Sequence, residues 1–417
     1  MSPPRLLRPL ASPPIALLWG ALAGSALGDQ LFAVVLSWVA AAAFGPAAGY
    51  LTMLQAAVLT LTLLLSGGWA DRRGRLGVMI GADLVRAAAL LGLIALWPAS
   101  GAPPGWALAL VVVVLAAGVA FFRPALQAAL PHLAPTDQLP ATNALLDGTD
   151  RIARLLGPAL VAAAAAWLPL VAFVGVDVAT FLLSAAAVGL VARLRRLPPP
   201  APAGTGASLR AGLAALRRHP LLFAVLALTG PVMGTWTAAY FLGLPLMLGP
   251  GTAGPGGVAA YGLVISAYGS TNLLGTLLIG SRPLPARPQR LIFAGVCLGG
   301  AGVMLLGLAG LVLPVAWHLP AFCAAAALGA LGGPMEDIPV AVLRQTELPP
   351  THIAAAVRLF MLASSLGLLV TLALAPTVFA ALGVAPAIML CGGLYIAAGL
   401  GGALLFGARR ARKGAKG

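Results

Sequence analysis

The sequence predicts an all-α membrane protein whose twelve transmembrane helices form two pseudo-symmetric six-helix bundles. Of its 417 residues, 60% are apolar and only 8% are charged, whereas soluble domains have about 45–50% apolar and about 25% charged residues. Apolar runs of about 20 residues, enough to cross about 30 Å of hydrocarbon, recur along the whole chain. A basic, Pro-rich connection divides these runs into two sets of six.

Each predicted helix is an apolar run bounded by charged residues, Gly or Pro. The first run follows Arg5 and Arg8 and resumes directly after the small residues 23–28. We therefore expect a retained first helix and not a cleaved signal peptide. The twelve predicted helices cover residues 15–40, 47–69, 77–98, 105–127, 143–166, 168–193, 221–247, 257–280, 289–312, 320–343, 353–379 and 382–407.

The basic residues predict the orientation of these helices. With the N-terminus inside, the connections that face outward, such as "PASGAPPG" and "LGPGTAGPGG", contain no Lys or Arg. All basic residues of the connections then face the cytosol, as the positive-inside rule requires, and both termini are cytosolic. Two Lys against 23 Arg, with abundant Ala, indicate a GC-rich bacterium, so we expect a multi-pass protein of the bacterial cytoplasmic (inner) membrane.

The connection between the two sets of helices predicts three regions. We expect an N-terminal six-helix bundle over residues 1–193, a cytosolic linker over 194–220 that ends in a short basic surface helix, and a C-terminal six-helix bundle with a basic cytosolic tail over 221–417. The two halves of the chain are weakly similar in sequence, since "GSALGDQ" (24–30) and "GPVMGTW" (230–236) share a Gly-x-x-x-Gly spacing. Repeated halves with a binding site near the midplane are typical of transporters, although Gly-rich membrane helices also resemble one another by chance.

Composition also excludes several classes of function. The net charge of +15 lies at the ends of apolar runs, where it orients helices, so we expect no nucleic-acid partner. The three Cys lie in apolar runs without metal-ligand spacing, and the four His lie outside or at the edges of the predicted helices. With no phosphate-binding loop either, we expect no enzyme, no cofactor, no metal site and no ATP-driven transport.

The stretch "GGWADRRGR" (67–75) concentrates charge between predicted helices 2 and 3. Gly67 and Gly74 allow a tight turn, and the Arg residues hold the loop on the cytosolic side. Asp71 is not needed for that, so we expect it to accept hydrogen bonds that form in one conformation and break in another. The alternative is a cluster of Arg that only sets the orientation.

This stretch resembles the signature between helices 2 and 3 of the major facilitator superfamily, with Trp69 in place of the usual Leu. Other stretches resemble the exporter branch that contains enterobactin exporters and macrolide-efflux proteins; they include "GADLVRA" (81–87), "RPALQAALPHLAPTDQLPATNALL" (123–146) and "FVGVDVATFLLS" (173–184). The resemblance implies that the loop gates the cytosolic side through Asp71, Arg72, Gly74 and Arg75. Two features differ from the superfamily: predicted helix 4 lacks the mid-membrane Arg of many drug–proton antiporters, and predicted helix 10 carries an unusual acidic pair.

Charged residues inside the predicted helices are candidates for function, because each costs about 2.5–3.5 kcal/mol to insert. Asp29 lies near the middle of predicted helix 1, which lines the central cavity in the family, so it either carries a proton or substrate or only bonds its neighbours. Glu336 and Asp337 lie inward of the midplane in predicted helix 10, where Pro334 and Pro339 are expected to break the helix and free carbonyl groups for a site. The alternative is a structural pair that meets an Arg from elsewhere.

A second group of charges forms a secondary network. Asp147 with Arg151, and Asp150 with Arg154, have the i,i+4 spacing of helical ion pairs and favour a structural or gating role. Asp83, Arg86 and Asp177 lie in predicted helices 3 and 6, which support the cavity from outside in the family, so we expect these three residues to be structural.

These observations predict a secondary active transporter that moves a small molecule by alternating access between two six-helix bundles. We expect export of a lipophilic or weakly cationic, drug- or siderophore-like compound by a monomer in the lipid bilayer. Protons are the expected counter-ion, since a proton from outside would neutralise Asp29 or Glu336 and lower the affinity for a cation. Two alternatives stay open at this point: a divalent-metal exporter on the same fold, and a membrane sensor or scaffold that docks a partner through the linker.

Overall fold

The computed structural model describes residues 8–65, 74–98, 102–135, 138–195, 209–249, 257–280, 282 and 284–414. The regular structure of these residues is helical, which confirms the predicted all-α fold class. Contacts divide the chain into two compact units, one formed by Met1–Ala43 with Leu54–Gly204 and the other by Phe44–Met53 with Thr205–Gly417. The short segment Phe44–Met53 groups with the second unit, which nothing in the sequence indicated.

The first half of the chain contains six long helices. They pack around a core in which apolar side chains of α1, α3, α4 and α6 meet, among them Leu18, Met79, Phe122 and Val188. The third helix lies against both the fourth and the sixth, so its side chains are enclosed on two sides. These helices are α1 (Pro13–Phe44), α2 (Gly49–Leu65), α3 (Arg75–Ala95), α4 (Gly105–Leu133), α5 (Leu139–Ala164) and α6 (Leu170–Leu194).

The second half contains a short linker helix (Leu209–Arg217) and six further helices. The linker helix is amphipathic: its Arg residues are exposed, whereas Leu216 is fully buried in the core of the second unit. The expected surface helix is therefore packed along one face. The long helices are α7 (Pro220–Met247), α8 (Gly257–Gly280), α9 (Pro288–Val312), α10 (His318–Ala330 and Gly332–Glu347), α11 (Pro350–Leu382) and α12 (Val384–Gly414).

Two of these helices are irregular in the middle. In α7, six residues, Ala238–Gly243, form a π-helical segment between two α-helical parts. Such segments are rare, and they occur frequently at functional sites. In α10 the helix is interrupted at Leu331, three residues before Pro334, whereas Pro339 lies inside the second helical part.

The interruption of α10 corrects the expectation that Pro334 frees a carbonyl group for a site. Pro334 has no N–H group, so the carbonyl of Ala330 four residues earlier loses its helical donor. Asn272 of α8 supplies a replacement, because its Nδ2 donates a hydrogen bond of 3.1 Å to the Ala330 oxygen. This carbonyl is therefore satisfied by the protein and is not free for a ligand or ion.

Ten segments of the described residues are long and apolar enough to cross a membrane. The first of them, Pro13–Thr62, includes both α1 and most of α2. Helix α5 is long enough but is not among the ten, because it carries two Asp and two Arg between residues 147 and 154. Separating α1 from α2 and adding α5 gives the twelve helices that the sequence predicted.

The two Gly-x-x-x-Gly stretches that echo each other in sequence pack against different neighbours. In α1, Gly28 faces Asp177 and Thr180 of α6. In α7, a Cβ at Gly230 would lie 2.7 Å from the Ala363 oxygen and 3.1 Å from the Gly367 Cα, both in α11. The shared spacing therefore reflects a common need for close helix approach.

Candidate functional site

Asp29 lies on α1, next to a close contact of α1 with α6 at Gly28. Its neighbour Gly28 has no side chain, and a Cβ there would collide with Asp177 Oδ1 and Thr180 Oγ1. Gly therefore allows the two helices to approach until the carboxyl groups of Asp29 and Asp177 interact electrostatically. The Asp29 side chain is half-buried, whereas Asp177 is fully buried.

Arg86 is the cation inside this part of the first unit. Its guanidinium forms an ion pair with Asp83, three residues earlier on α3, and both side chains are almost completely buried. The guanidinium carbon lies 4.3 Å from the ring centroid of Phe181 and 5.0 Å from that of Phe122, so aromatic faces enclose it. Gly118 of α4 makes room, since a Cβ there would lie 2.7 Å from Arg86 Cγ and Cδ.

These residues form one connected group, which we call the charge cluster: Asp29, Asp83, Arg86 and Asp177. Asp29 lies within electrostatic range of Arg86 and Asp83, and Asp177 lies within range of all three others. Three carboxyl groups therefore share one buried guanidinium. Oδ2 of Asp83 and Oδ2 of Asp177 are both buried without a hydrogen-bond partner among the described residues, which is an unusual arrangement for a purely structural cluster.

The sequence analysis treated these residues as two separate groups and did not predict the cluster. It predicted that Asp29 lines the cavity and that Asp83, Arg86 and Asp177 are structural. The structural role of these three residues stays a prediction. The sequence of α6 contains one indication of a polar site, because Asp177, Thr180 and Ser184 recur at helical spacing and so share one face of the helix. Thr180 Oγ1 donates to the Asp177 carbonyl at 2.8 Å and lies 3.3 Å from Asp177 Oδ1.

Among the described residues, Asp150 of α5 forms an ion pair that differs from the predicted i,i+4 pairs. Asp150 Oδ2 accepts a hydrogen bond of 3.2 Å from Arg123 Nη2 of α4, so this carboxylate links two helices. Arg151 and Arg154 are exposed, and Arg154 takes part in a further interaction. The helical position of Asp147 is described, but its side chain is not.

Part of the predicted cytosolic gate lies outside the described residues, namely Gly67, Asp71 and Arg72. Gly74 is the residue that precedes α3, and Arg75 is the first residue of that helix. Arg75 is half-buried, and among the described residues its Nη1 has no hydrogen-bond partner. The gating role of this loop stays a prediction.

Glu336 and Asp337 follow Pro334 in the second part of α10, and their environments differ. Asp337 is exposed and lies within electrostatic range of Arg344, two turns further along the same helix. Glu336 is half-buried, and its electrostatic partners among the described residues are Asp337 and nearby Tyr side chains. Of the two carboxyl groups, that of Glu336 has no Arg among its electrostatic partners in the described residues.

Four aromatic side chains of neighbouring helices form a cluster, and two of them lie within electrostatic range of this acidic pair. The sequence analysis did not predict this arrangement. We call these four side chains the aromatic cluster: Trp236, Tyr240, Tyr268 and Tyr395, from α7, α8 and α12. Tyr268 and Tyr395 each lie within electrostatic range of both Glu336 and Asp337. Trp236 and Tyr240 are four residues apart and so share a face of α7, a signal that was visible in the sequence. Within the part of the chain that the structure describes, no group of three or more His, Cys, Asp or Glu could hold a metal ion.

Comparison with known proteins gives three results. A sequence profile of the Major Facilitator Superfamily matches residues 18–313. Macrolide efflux protein A of Streptococcus pyogenes is 29% identical over 202 residues, which cover 46% of this chain and 44% of that protein. The protein of the same name from Enterococcus faecalis is 29% identical over 200 residues, covering 46% of this chain and 54% of that protein. The matched region thus spans about half the length of the curated relatives.

Solved structures share the fold. The POT family transporter PepTSo has a TM-score of 0.72 at 12% identity, with 96% of this chain and 98% of that chain covered. A bacterial homologue of the iron transporter ferroportin, in the inward-facing state, has a TM-score of 0.66 at 16% identity, covering 93% and 98%. At these identities the likeness concerns the fold alone.

Proposed function

Because this chain belongs to the Major Facilitator Superfamily, we propose that it is a proton-coupled exporter of a lipophilic or weakly cationic small molecule. In this proposal the protein works by alternating access in the bacterial cytoplasmic membrane, with both termini in the cytosol. It acts as a monomer and uses no cofactor. The substrate is drug- or siderophore-like, and protons supply the energy.

The observation that carries the proposal is the charge cluster of the first unit. Ionisable groups inside a membrane protein are costly and mark ion pathways. Here three carboxyl groups surround one guanidinium, so the cluster has an excess of negative charge when all its members are ionised. A purely structural ion pair needs only Asp83 with Arg86, whereas Asp29 and Asp177 add negative charge. The other cation within electrostatic range of Asp29, Arg123, is exposed and is already paired with Asp150.

In the proposed mechanism Asp29 is the entry point for the proton, since it is the half-buried member of the cluster. A proton on Asp29 removes its repulsion from Asp177 and changes how strongly both carboxyl groups attract Arg86. These residues come from α1, α3 and α6, so a change in their attraction alters the forces between three helices. Coupling of this kind requires that two arrangements of the helices bind the proton with different affinity.

The direction of transport and the class of substrate are supported by the relatives. Two curated relatives are macrolide efflux proteins, and each aligns with less than half of this chain. Export of lipophilic compounds is therefore the activity that we propose here. The divalent-metal alternative has the ferroportin homologue as a neighbour in fold, but no described group of His, Cys, Asp or Glu favours it.

The proposal is tested with purified protein in liposomes loaded with a pH-sensitive dye. A proton gradient is imposed, and macrolides, catechol siderophores and lipophilic cations are added in turn. The proposal expects at least one compound to increase proton flux in liposomes with protein and not in liposomes without it. Flux with none of the compounds, together with compound uptake that is independent of the gradient, would refute proton coupling.

A further inference from the structure

Three aromatic rings of the second unit meet at the π-helical segment of α7. The ring centroids of Tyr240 and Tyr268 are 5.1 Å apart at 62°, and those of Trp236 and Tyr268 are 5.8 Å apart at 50°. Trp236 and Tyr240 are also 5.8 Å apart. Because none of these pairs is stacked face to face, each ring keeps part of a π face turned toward something other than its neighbour.

Two carboxyl groups of α10, those of Glu336 and Asp337, lie within electrostatic range of side chains of the aromatic cluster. Tyr268 is within electrostatic range of Asp337 and Glu336, and Tyr395 is within range of the same two groups. Aromatic faces attract cations through their quadrupoles, and carboxylates attract them through charge. Glu336 has no Arg among its described electrostatic partners, so its charge is available to a cation that is not part of the protein.

One hydrogen-bond donor in the cluster is unused. The Tyr240 side chain is 1% exposed, and its hydroxyl has no hydrogen-bond partner among the described residues. The hydroxyl points toward α10, since a Cβ at Gly329 would lie 3.6 Å from it. Native proteins pair the great majority of their buried polar atoms, so this unpaired hydroxyl calls for an acceptor from outside.

We infer that the aromatic cluster, with Glu336 and Asp337, is a binding site for a protonated lipophilic amine that also carries hydrogen-bond-accepting oxygens. The rings and Glu336 hold the ammonium group, while the Tyr240 hydroxyl donates to an ether, carbonyl or hydroxyl oxygen of the same molecule. Trp236 and Tyr268 are half-buried, so a ligand can reach them. Tyr240 itself lies in the π-helical segment, and such segments occur frequently at functional sites.

This inference rests on the proposed function and narrows its class of substrate. Among the compounds considered above, catechol siderophores become anionic when they bind iron, and two carboxylates repel an anion. A lipophilic amine with many oxygens satisfies the charge, the aromatic faces and the Tyr240 hydroxyl together. A plain lipophilic cation satisfies only the charge and the aromatic faces.

The test measures equilibrium binding to the purified full chain with radiolabelled erythromycin, a tertiary amine with many oxygens. Its counterpart carries an N-acetyl group in place of one N-methyl group of that amine, so the resulting amide keeps the oxygens and removes the charge. Erythromycin is expected to bind about tenfold more tightly than the acylated compound. Glu336→Gln is expected to remove most of that difference, whereas Glu347→Gln, an exposed Glu at the end of the same helix, leaves it intact.

A second variant tests the unused Tyr240 hydroxyl. Tyr240→Phe removes one hydroxyl and is expected to weaken binding of both compounds by about fivefold. Tyr50→Phe, at an exposed Tyr, serves as its control. The apparent melting temperature of each variant shows whether it folds; if Glu336→Gln does not, the comparison of the two compounds on the wild type and on Tyr240→Phe still decides the question.

Several results would overturn the inference: no binding of the amine, equal binding of the two compounds, or unchanged binding in both Glu336→Gln and Tyr240→Phe. These failures are separate from failure of the proposed function. Proton flux with unchanged binding in the site variants would reject this site and leave the exporter standing. Amine binding that depends on Glu336, without any proton flux, would support the site and reject proton coupling.

Discussion

Arg86 donates a hydrogen bond to Asp83 three residues earlier on α3, and both side chains are almost completely buried. The pair lies within electrostatic range of Asp29 on α1 and of Asp177 on α6. A single guanidinium therefore balances carboxyl groups from three helices. This relationship connects the stability of the first unit to the residue that we propose as the proton carrier.

Removal of Arg86 is expected to destabilise the protein strongly. Breaking a buried ion pair by removing one partner costs about 3–5 kcal/mol, because the remaining charge stays buried. Arg86→Met should therefore lower the apparent melting temperature of the detergent-solubilised protein. The double variant Asp83→Asn, Arg86→Met should recover part of the loss, while Arg151→Met, at an exposed Arg, should have little effect. A double variant no more stable than Arg86→Met would contradict this account.

Gly28 is expected to tolerate no side chain. A Cβ at this position collides with Asp177 and Thr180, and overpacking costs about 1–3 kcal/mol. Gly24→Ala, one turn earlier on the same face, is the matched control, since its Cβ would lie 4.0 Å from Thr180 Cγ2. We expect Gly28→Ala to lower the apparent melting temperature and Gly24→Ala to leave it unchanged or raise it. Equal effects of the two substitutions would show that α1 and α6 are not in close contact.

The Asn272 side chain is expected to stabilise the interruption of α10. Asn272→Leu leaves the Ala330 carbonyl without its donor, which costs about 1–3 kcal/mol for a buried group. Pro334→Ala restores the backbone N–H that pairs with this carbonyl in a regular helix. Thermal unfolding of the single and double variants should therefore show a smaller loss from Asn272→Leu in the Pro334→Ala background. Additive losses would indicate that the hydrogen bond contributes nothing.

The ion pair between Asp150 and Arg123 is expected to contribute little to stability. Their side chains are 33% and 67% exposed, and exposed pairs contribute about 0–1 kcal/mol. Asp150→Asn should shift the apparent melting temperature by no more than about 4 °C, by the usual scaling for a unit of this size. A larger loss would assign this pair a structural role comparable to that of Arg86 and Asp83.

The fold was predictable from the sequence because hydropathy sets the length and number of the helices. The excess of Arg in alternate connections predicted an orientation, which stays a prediction. The charge cluster was not predictable in full, because its members come from α1, α3 and α6 and only tertiary packing brings them together. Each charge could be identified as costly from its position alone, but the contact of Gly28 with Asp177 depends on how two helices cross.

In the second unit, prediction from the sequence reached a similar limit. The acidic pair of α10 stood out in the sequence, and Pro334 correctly indicated an irregular helix. The sequence could not show that Asn272 satisfies the Ala330 carbonyl or that Tyr268 and Tyr395 lie within electrostatic range of Glu336. Aromatic residues in membrane helices are common, and a cluster becomes recognisable only when the rings of different helices meet.

The most direct test of the central claim compares the wild type with Asp29→Asn in proteoliposomes loaded with a pH-sensitive dye. Proton flux is measured under an imposed gradient with the compound that stimulates the wild type, and Glu347→Gln serves as the control for loss of a carboxylate elsewhere. The account predicts substrate-dependent flux in the wild type and in Glu347→Gln, and its loss in a folded Asp29→Asn protein. Undiminished flux in Asp29→Asn would contradict the account and exclude Asp29 from the proton path.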